Sequence, residues 1–131
     1  MGFLSFFKKS KKEEAAPVVQ KVKPEVDYSV DEYFNTLVTE ENFPGYKIER
    51  NVHVNVFNED AHPRCFPITY LFSKDDEPVL AVFLMNYNQY HAMISEGAYE
   101  VLMEENINYI RFYRSFPNEK DYVINRIKEN L

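Results

Sequence analysis

The sequence predicts one layered α/β domain, in the broad α+β sense, over residues 28–131, with a helix, three strands, a helix, a strand and a closing helix. Three observations carry this. Apolar residues recur at helical spacing in 29–42, in 90–105 and again near the C-terminus. They alternate with period two from Tyr46 to Val56, and the run Val79–Met85 is continuously apolar.

Ser29-Val30-Asp31-Glu32 reads as a capping box, with Tyr28 placed to staple onto Tyr33, so a helix is expected over 29–42. Its stripe is Tyr33, Phe34, Leu37 and Val38, and Pro44-Gly45 stops it. Tyr46, Ile48, Val52, Val54 and Val56 then form one face of a long first strand, followed by a polar loop over 58–64. Phe66–Ser73 is a second strand rich in aromatic and β-branched residues, and Lys74-Asp75-Asp76-Glu77-Pro78 is the turn into the third. Apolar on both faces, the stretch 79–85 is the expected central strand.

Ile94, Ala98, Val101 and Leu102 make the buried stripe of the next helix, with Glu96, Glu100 and Glu104 facing away and Gly97 permitting close approach to the sheet. Asn108–Tyr113 is the fourth strand. The closing helix has Pro117 near its first turn and Val123, Ile127 and Leu131 as its buried stripe.

Composition narrows the class. With 131 residues, 45% apolar and 27% charged, the chain suits one soluble domain, and 16% Phe plus Tyr without Trp predicts an aromatic core. Cys65 is the single cysteine, which excludes an internal disulfide or a multi-thiolate zinc cage. No apolar run approaches the roughly 20 residues that span a bilayer, so a cytoplasmic protein is expected.

Charge is uneven. Residues 1–23 carry a net +4 and residues 24–131 about −10. Such a body repels polyanions, which makes nucleic acid an unexpected partner. At the N-terminus Phe3, Leu4, Phe6 and Phe7 directly precede Lys8, Lys9, Lys11 and Lys12, an order suited to peripheral contact with an anionic membrane and unlike a secretory signal. The ordinary alternative is a frayed end, and 1–27 is expected to be a flexible basic amphipathic segment and linker.

The order of elements resembles the restriction-endonuclease-like fold of the PD-(D/E)xK superfamily, whose αβββαβ core is a mixed four-stranded sheet flanked by helices. Carrying the texture are Pro67–Phe72, the turn Ser73–Pro78, the run Val79–Met85 and Glu105–Phe112. The resemblance implies a second-strand acid at Ile68 or Thr69 and a third-strand acid and lysine at Phe83 and Met85. Those pairs hold a divalent cation and position water in the superfamily. Here the positions are apolar or carry a hydroxyl, so the expectation is a non-catalytic member without metal or cofactor, acting as an interaction or regulatory module. The alternative is a diverged metal-dependent nuclease with relocated carboxylates, drawn from Glu49, Asp60 or Glu96.

Other polar candidates are weaker. His53, Asp60, His62 and Cys65 offer transition-metal donors without a recognisable spacing, and solvated histidines with a structural thiol are the ordinary reading. Asn86, Tyr87, Asn88, Gln89, Tyr90 and His91 follow the central strand, where α/β sites often form, and make a possible binding surface; a solvated loop explains them equally. Arg111 and Arg114 on the fourth strand could grip an anion, though pairing with Glu104, Glu105 or Glu119 is the ordinary reading. Tyr109, Phe112, Tyr113 and Phe116 exceed what one strand face needs; burial under the last helix is the expectation, a partner surface the alternative.

Overall fold

A computed structural model describes residues 28–89 and 92–131, with only the backbone of Tyr28. The elements are α1 (Tyr28–Leu37), β1 (Lys47–Val52), β2 (Ile68–Lys74), β3 (Glu77–Met85), α2 (Met93–Glu104), β4 (Asn108–Tyr113) and α3 (Lys120–Glu129). Short 3-10 turns occur at Val54–Val56 and Tyr87–Gln89. The sheet runs β1-β2-β3-β4. β1/β2 and β2/β3 are antiparallel and β3/β4 parallel, so the sheet is mixed. A parallel pair needs a long crossover, and α2 supplies it. Among the described residues no helix is long and apolar enough to cross a membrane.

Local chemistry explains the connections. Asp75 and Asp76 both take positive φ (53° and 64°), which gives the two-residue hairpin between β2 and β3 the twist that its strands require. Asn106, at φ 60°, ends α2, with its N–H on the Met103 carbonyl and the Ile107 N–H on that of Leu102. This is the Schellman arrangement, with Asn in the left-handed position more often held by glycine.

The sheet separates two cores. On one face, α1 and α3 bring Phe34, Leu37, Val123 and Ile127 against Tyr70, Phe72, Val82, Leu84 and Phe112. On the other, α2 brings Ala98, Tyr99, Val101 and Leu102 against Ile68, Leu71, Phe83 and Met85. Leu80–Met85 is buried throughout, as a strand covered on both faces must be.

Several expectations are corrected. α1 begins at Tyr28, so Ser29 lies inside its first turn, and it ends at Leu37 rather than 42. Thr39 Oγ1 accepts the Asn42 N–H and the Asn42 side chain donates to the Leu37 carbonyl at 2.8 Å, which turns the chain and delivers Phe43 to the core. The expected Tyr28–Tyr33 staple involves a side chain outside the described ones.

β1 starts at Lys47 and stops at Val52 instead of running from Tyr46 to Val56. Asn51 adopts φ 54°, and His53 Nδ1 accepts the Asn55 N–H to start the 3-10 turn. Within that turn Val54 is buried and Val56 is exposed, so the period of two does not persist. β2 begins at Ile68, two residues later than Phe66, whose N–H donates instead to the Ile94 carbonyl. The third strand is longer than expected, starting at Glu77. α2 starts at Met93, and its inner face uses Ser95 and Tyr99, leaving Ile94 exposed. α3 starts at Lys120, so Pro117 lies in the turn before it, and Leu131 is only partly buried.

Candidate functional site

The positions at which the resemblance implies a metal centre are structural here. Ile68, Phe83 and Met85 have no exposed surface and belong to the core beneath α2. The Phe83 ring meets Tyr99 edge-on at 5.5 Å, and the Tyr99 hydroxyl donates to Met85 Sδ at 3.7 Å. Thr69 Oγ1 accepts the Leu84 N–H at 2.9 Å, replacing a ladder bond just past the Tyr70–Val82 pair. No three His, Cys, Asp or Glu side chains among the described residues gather where one ion could bind them.

The remaining metal and carboxylate candidates are dispersed. His53 accepts from Asn55 through Nδ1, so its Nε2–H is the donor to the Pro63 carbonyl at 3.0 Å. His62 Nδ1 accepts the Arg64 N–H, and Cys65 is buried with its Sγ facing Gly97. Glu49 pairs with Lys47 on the outer strand at 3.1 Å, Asp60 lies in the loop before β2, and Glu96 is exposed on α2.

Beside α1 is a polar cleft of about 170 Å³ lined by Asp31, Asn35, Arg50, Asn51, Thr69 and Tyr70. The Tyr70 hydroxyl donates to Asn35 Oδ1, and burial pushes its pKa up to about 12, against the opposing charge of Arg50. Asp31, the one carboxylate in its lining, is already held by Arg114 at 2.9 Å. The cleft can donate and accept hydrogen bonds but lacks a second acid for acid/base or metal chemistry.

A different arrangement forms at the C-terminal ends of the parallel strands. Arg114 continues the β3/β4 ladder by donating its N–H to the Met85 carbonyl, and its guanidinium grips Asp31 of α1 and reaches Asn86 Oδ1. One side chain thus ties together α1, β4 and the loop after β3, and the expected pairing of Arg114 with Glu104, Glu105 or Glu119 is replaced by this bond across 83 residues. Gln89 Oε1 accepts the Asn86 N–H, closing that loop on itself. Asn118 donates to the Tyr113 and Phe116 carbonyls and fixes the turn after β4.

This framework holds Tyr87, Tyr113 and Phe116 together. The Tyr87 ring lies 5.1 Å from Tyr113 and is stacked on Phe116 at 5.9 Å, while Tyr113 and Phe116 are 5.0 Å apart. Tyr87 is 59% and Phe116 50% exposed. Burial of Phe116 under the last helix is therefore corrected, because the turn after β4 carries it outward; Phe112 alone is fully enclosed beneath α3, and Tyr109 and Tyr113 pack on the α2 side. Around the outer edge of β4 the surface continues into a groove of about 320 Å³ that includes Tyr122, 53% exposed, and Arg126.

Arg111 lies on the α2 side of β4, its guanidinium 5.1 Å from the Tyr99 ring and 5.9 Å from Tyr109. Burial raises the Tyr99 pKa while a hydrogen bond and positive charge from Arg111 lower it.

Of the expected binding surface, Asn86, Tyr87 and Gln89 take part in the corner and Asn88 is exposed beside it. Tyr90 and His91, with the expected membrane contacts Phe3, Leu4, Phe6, Phe7, Lys8 and Lys9, lie outside the described residues. Tyr122, Asn118 and Arg126 were not anticipated as surface-forming residues. Tyr122 carried a usable signal, since it stands next to the buried Val123 and off the Val123/Ile127 stripe. Comparison with protein-family models, curated proteins and solved structures yields no match to this chain.

Proposed function

We propose that the chain is a non-catalytic, cytoplasmic interaction or regulatory module of restriction-endonuclease-like architecture, whose partner-binding surface is the aromatic corner of Tyr87, Tyr113 and Phe116. The observation that carries the reading is the full burial of Phe83 and Met85, at the positions where the superfamily holds its acid and lysine. A mixed sheet in the order β1-β2-β3-β4, crossed over by α2, is compatible with that architecture. Aromatic residues exposed together at strand ends form a surface of the kind that marks contact with another macromolecule.

The test has two arms. Purified protein with Mg²⁺ or Mn²⁺ leaves DNA and RNA intact, and calorimetry shows no uptake of either ion; cleavage that is lost on a point change in this chain refutes the reading. A photo-crosslinking residue at position 116 in living cells captures a discrete protein, whereas one at Met103, an exposed apolar residue of α2, does not. Equal labelling from both positions, or none from 116, also refutes it.

A compatible second contact is drawn from residues 2–12, whose apolar and lysine-rich halves suit anionic membrane. Sedimentation with anionic but not neutral vesicles, weakened by salt and abolished by deleting 1–12, is the expected outcome; binding indifferent to lipid charge removes this contact.

A further inference from the structure

Loop 58–65 and α2 enclose a continuous groove. Its larger part, about 480 Å³, is lined by Cys65, Met93, Ile94 and Gly97 together with His62 and Arg64. The adjoining part, about 250 Å³, shares His62, Cys65 and Gly97 and takes in Asp60, Glu100 and Glu104. Met93, Gly97, Glu100, Val101 and Glu104 recur at helical spacing and so form one stripe, apolar toward the start of α2 and acidic toward its end. Met93 is 87% exposed, and Gly97 has no side chain to fill the floor, where an added Cβ would lie 3.1 Å from Cys65 Sγ. Asp60, Glu100 and Glu104 are exposed, and no cation among the described residues pairs with them. Exposed apolar surface bordered by charge of one sign suits a segment that is apolar and oppositely charged.

This chain carries such a segment, in the matching order. Phe3, Leu4, Phe6 and Phe7 are followed by Lys8, Lys9, Lys11 and Lys12, with no acid among residues 1–12. We infer that residues 3–12 dock in cis in this groove, with the apolar half against Met93, Ile94 and Gly97 and the lysines over Asp60, Glu100 and Glu104. The opposite direction would set lysines beside Arg64 and leave the aromatics among carboxylates.

The tether permits it. Residues 13–27 extend at most about 50 Å, against a radius of gyration of about 13 Å for a domain of this size. They lead into α1, whose Asp31 is bonded to Arg114, and the same guanidinium reaches Asn86 in the loop before α2, so α1 and α2 begin at the same end of the sheet. A short tether holds the segment at a local concentration on the order of millimolar, which sustains a modest contact. The inference is independent of the interaction-module reading. It makes groove and membrane rival seats for one segment, which crosslinking and vesicle sedimentation read separately.

The test places p-benzoylphenylalanine at position 6 of the purified full chain and maps the photoproducts by mass spectrometry. Benzophenone reacts readily with methionine, and α2 exposes Met93 in the groove and Met103 outside it. The expected product is an intramolecular link to Met93, at least about fivefold above any to Met103 and weakening as salt rises. Reversing the groove's charge with Asp60→Lys, Glu100→Lys and Glu104→Lys lowers the Met93 link at least about fivefold with the thermal melt little changed, and replacing Lys8, Lys9, Lys11 and Lys12 by Glu in that background restores it.

Equal links to Met93 and Met103, links only to other surfaces, no intramolecular link, or a Met93 link indifferent to salt and to the triple reversal each overturn the inference. So does a dimer-sized product whose yield rises with concentration, which seats the segment on a second copy of the chain. If the triple variant unfolds, the lysine-to-glutamate change in the otherwise unaltered chain decides: it lowers the Met93 link by the same factor, and an unchanged link overturns the inference.

Discussion

Phe83 and Met85 at the end of β3, and Tyr87 and Phe116 just beyond it, are large apolar or aromatic side chains a few residues or one strand apart, yet they meet opposite surroundings. The first pair is sealed between the sheet and α2, where Tyr99 covers both. The second pair projects from the strand ends, where no helix among the described residues covers it and where Arg114 and Asn118 hold the supporting loops. The comparison teaches that side-chain type does not distinguish a core from a contact surface. Position relative to the end of the sheet does: within the ladder, layers on both faces exclude water, and past its last pair, Met85–Tyr113, the layers stop.

The sharpest way to break this contrast is to write charge into its buried half. Phe83→Asp combined with Met85→Lys is expected to abolish folding instead of creating a nuclease, at a cost of at least about 4 kcal/mol against a typical domain stability of about 5–15. Circular dichroism and a Mg²⁺-supplemented cleavage assay check it. A folded, cleaving double variant would show that these positions remain an open site.

Alkaline pH probes the buried half with a smaller effect. The Tyr70 pKa is raised in the folded state to about 12, so its contribution is intact below the unfolded value near 10 and is lost as pH rises toward 12. Both states are protonated at pH 8, while above pH 10 the unfolded chain releases the proton first and unfolding is favoured. Urea melts are expected to lose about 2–3 kcal/mol over that window. Tyr70→Phe flattens the loss, at a cost of about 1 kcal/mol at neutral pH from the hydrogen bond to Asn35.

Gly97 sharpens the same side further. A Cβ built there lies 3.1 Å from Cys65 Sγ, so the helix-propensity gain of Gly97→Ala is offset by crowding, and its net effect is expected within about 0.5 kcal/mol. In a Cys65→Ala background the same change stabilises by about 0.5–1 kcal/mol, a non-additivity readable in thermal melts. The smallest effect belongs to the exposed half. Phe116→Ser changes stability by less than about 0.5 kcal/mol in thermal melts; a large stability loss would place Phe116 in the core after all.

Much of the fold was legible because it is written in local patterns. The continuous run at 79–85 has the look of a strand covered on both faces, the spacing of Ala98, Val101 and Leu102 marked the inner face of α2, and Asn108–Tyr113 was read with its observed bounds. Boundaries failed where polar side chains compete with backbone ladders, as with Thr39 and Asn42 after α1 and His53 after β1. The aromatic corner was half legible. Residues 86–91 and the surplus aromatics around 109–116 were each noticed, but their meeting depends on β3 and β4 being parallel neighbours in register, which no local window contains. The Asp31–Arg114 bond was beyond reach for the same reason.

The sequence by itself determined the layered class, the doubly covered strand, the acidic body and the absence of carboxylates and lysine where the resemblance implies them, because periodicity and residue identity are local facts. Tertiary structure alone decided that Phe83 faces Tyr99 while Phe116 stays exposed, that Arg114 finds α1, and that Arg111 and Arg126 line one groove. Burial and pairing are properties of surfaces brought together by folding, and sheet register and helix placement set those surfaces across the whole chain.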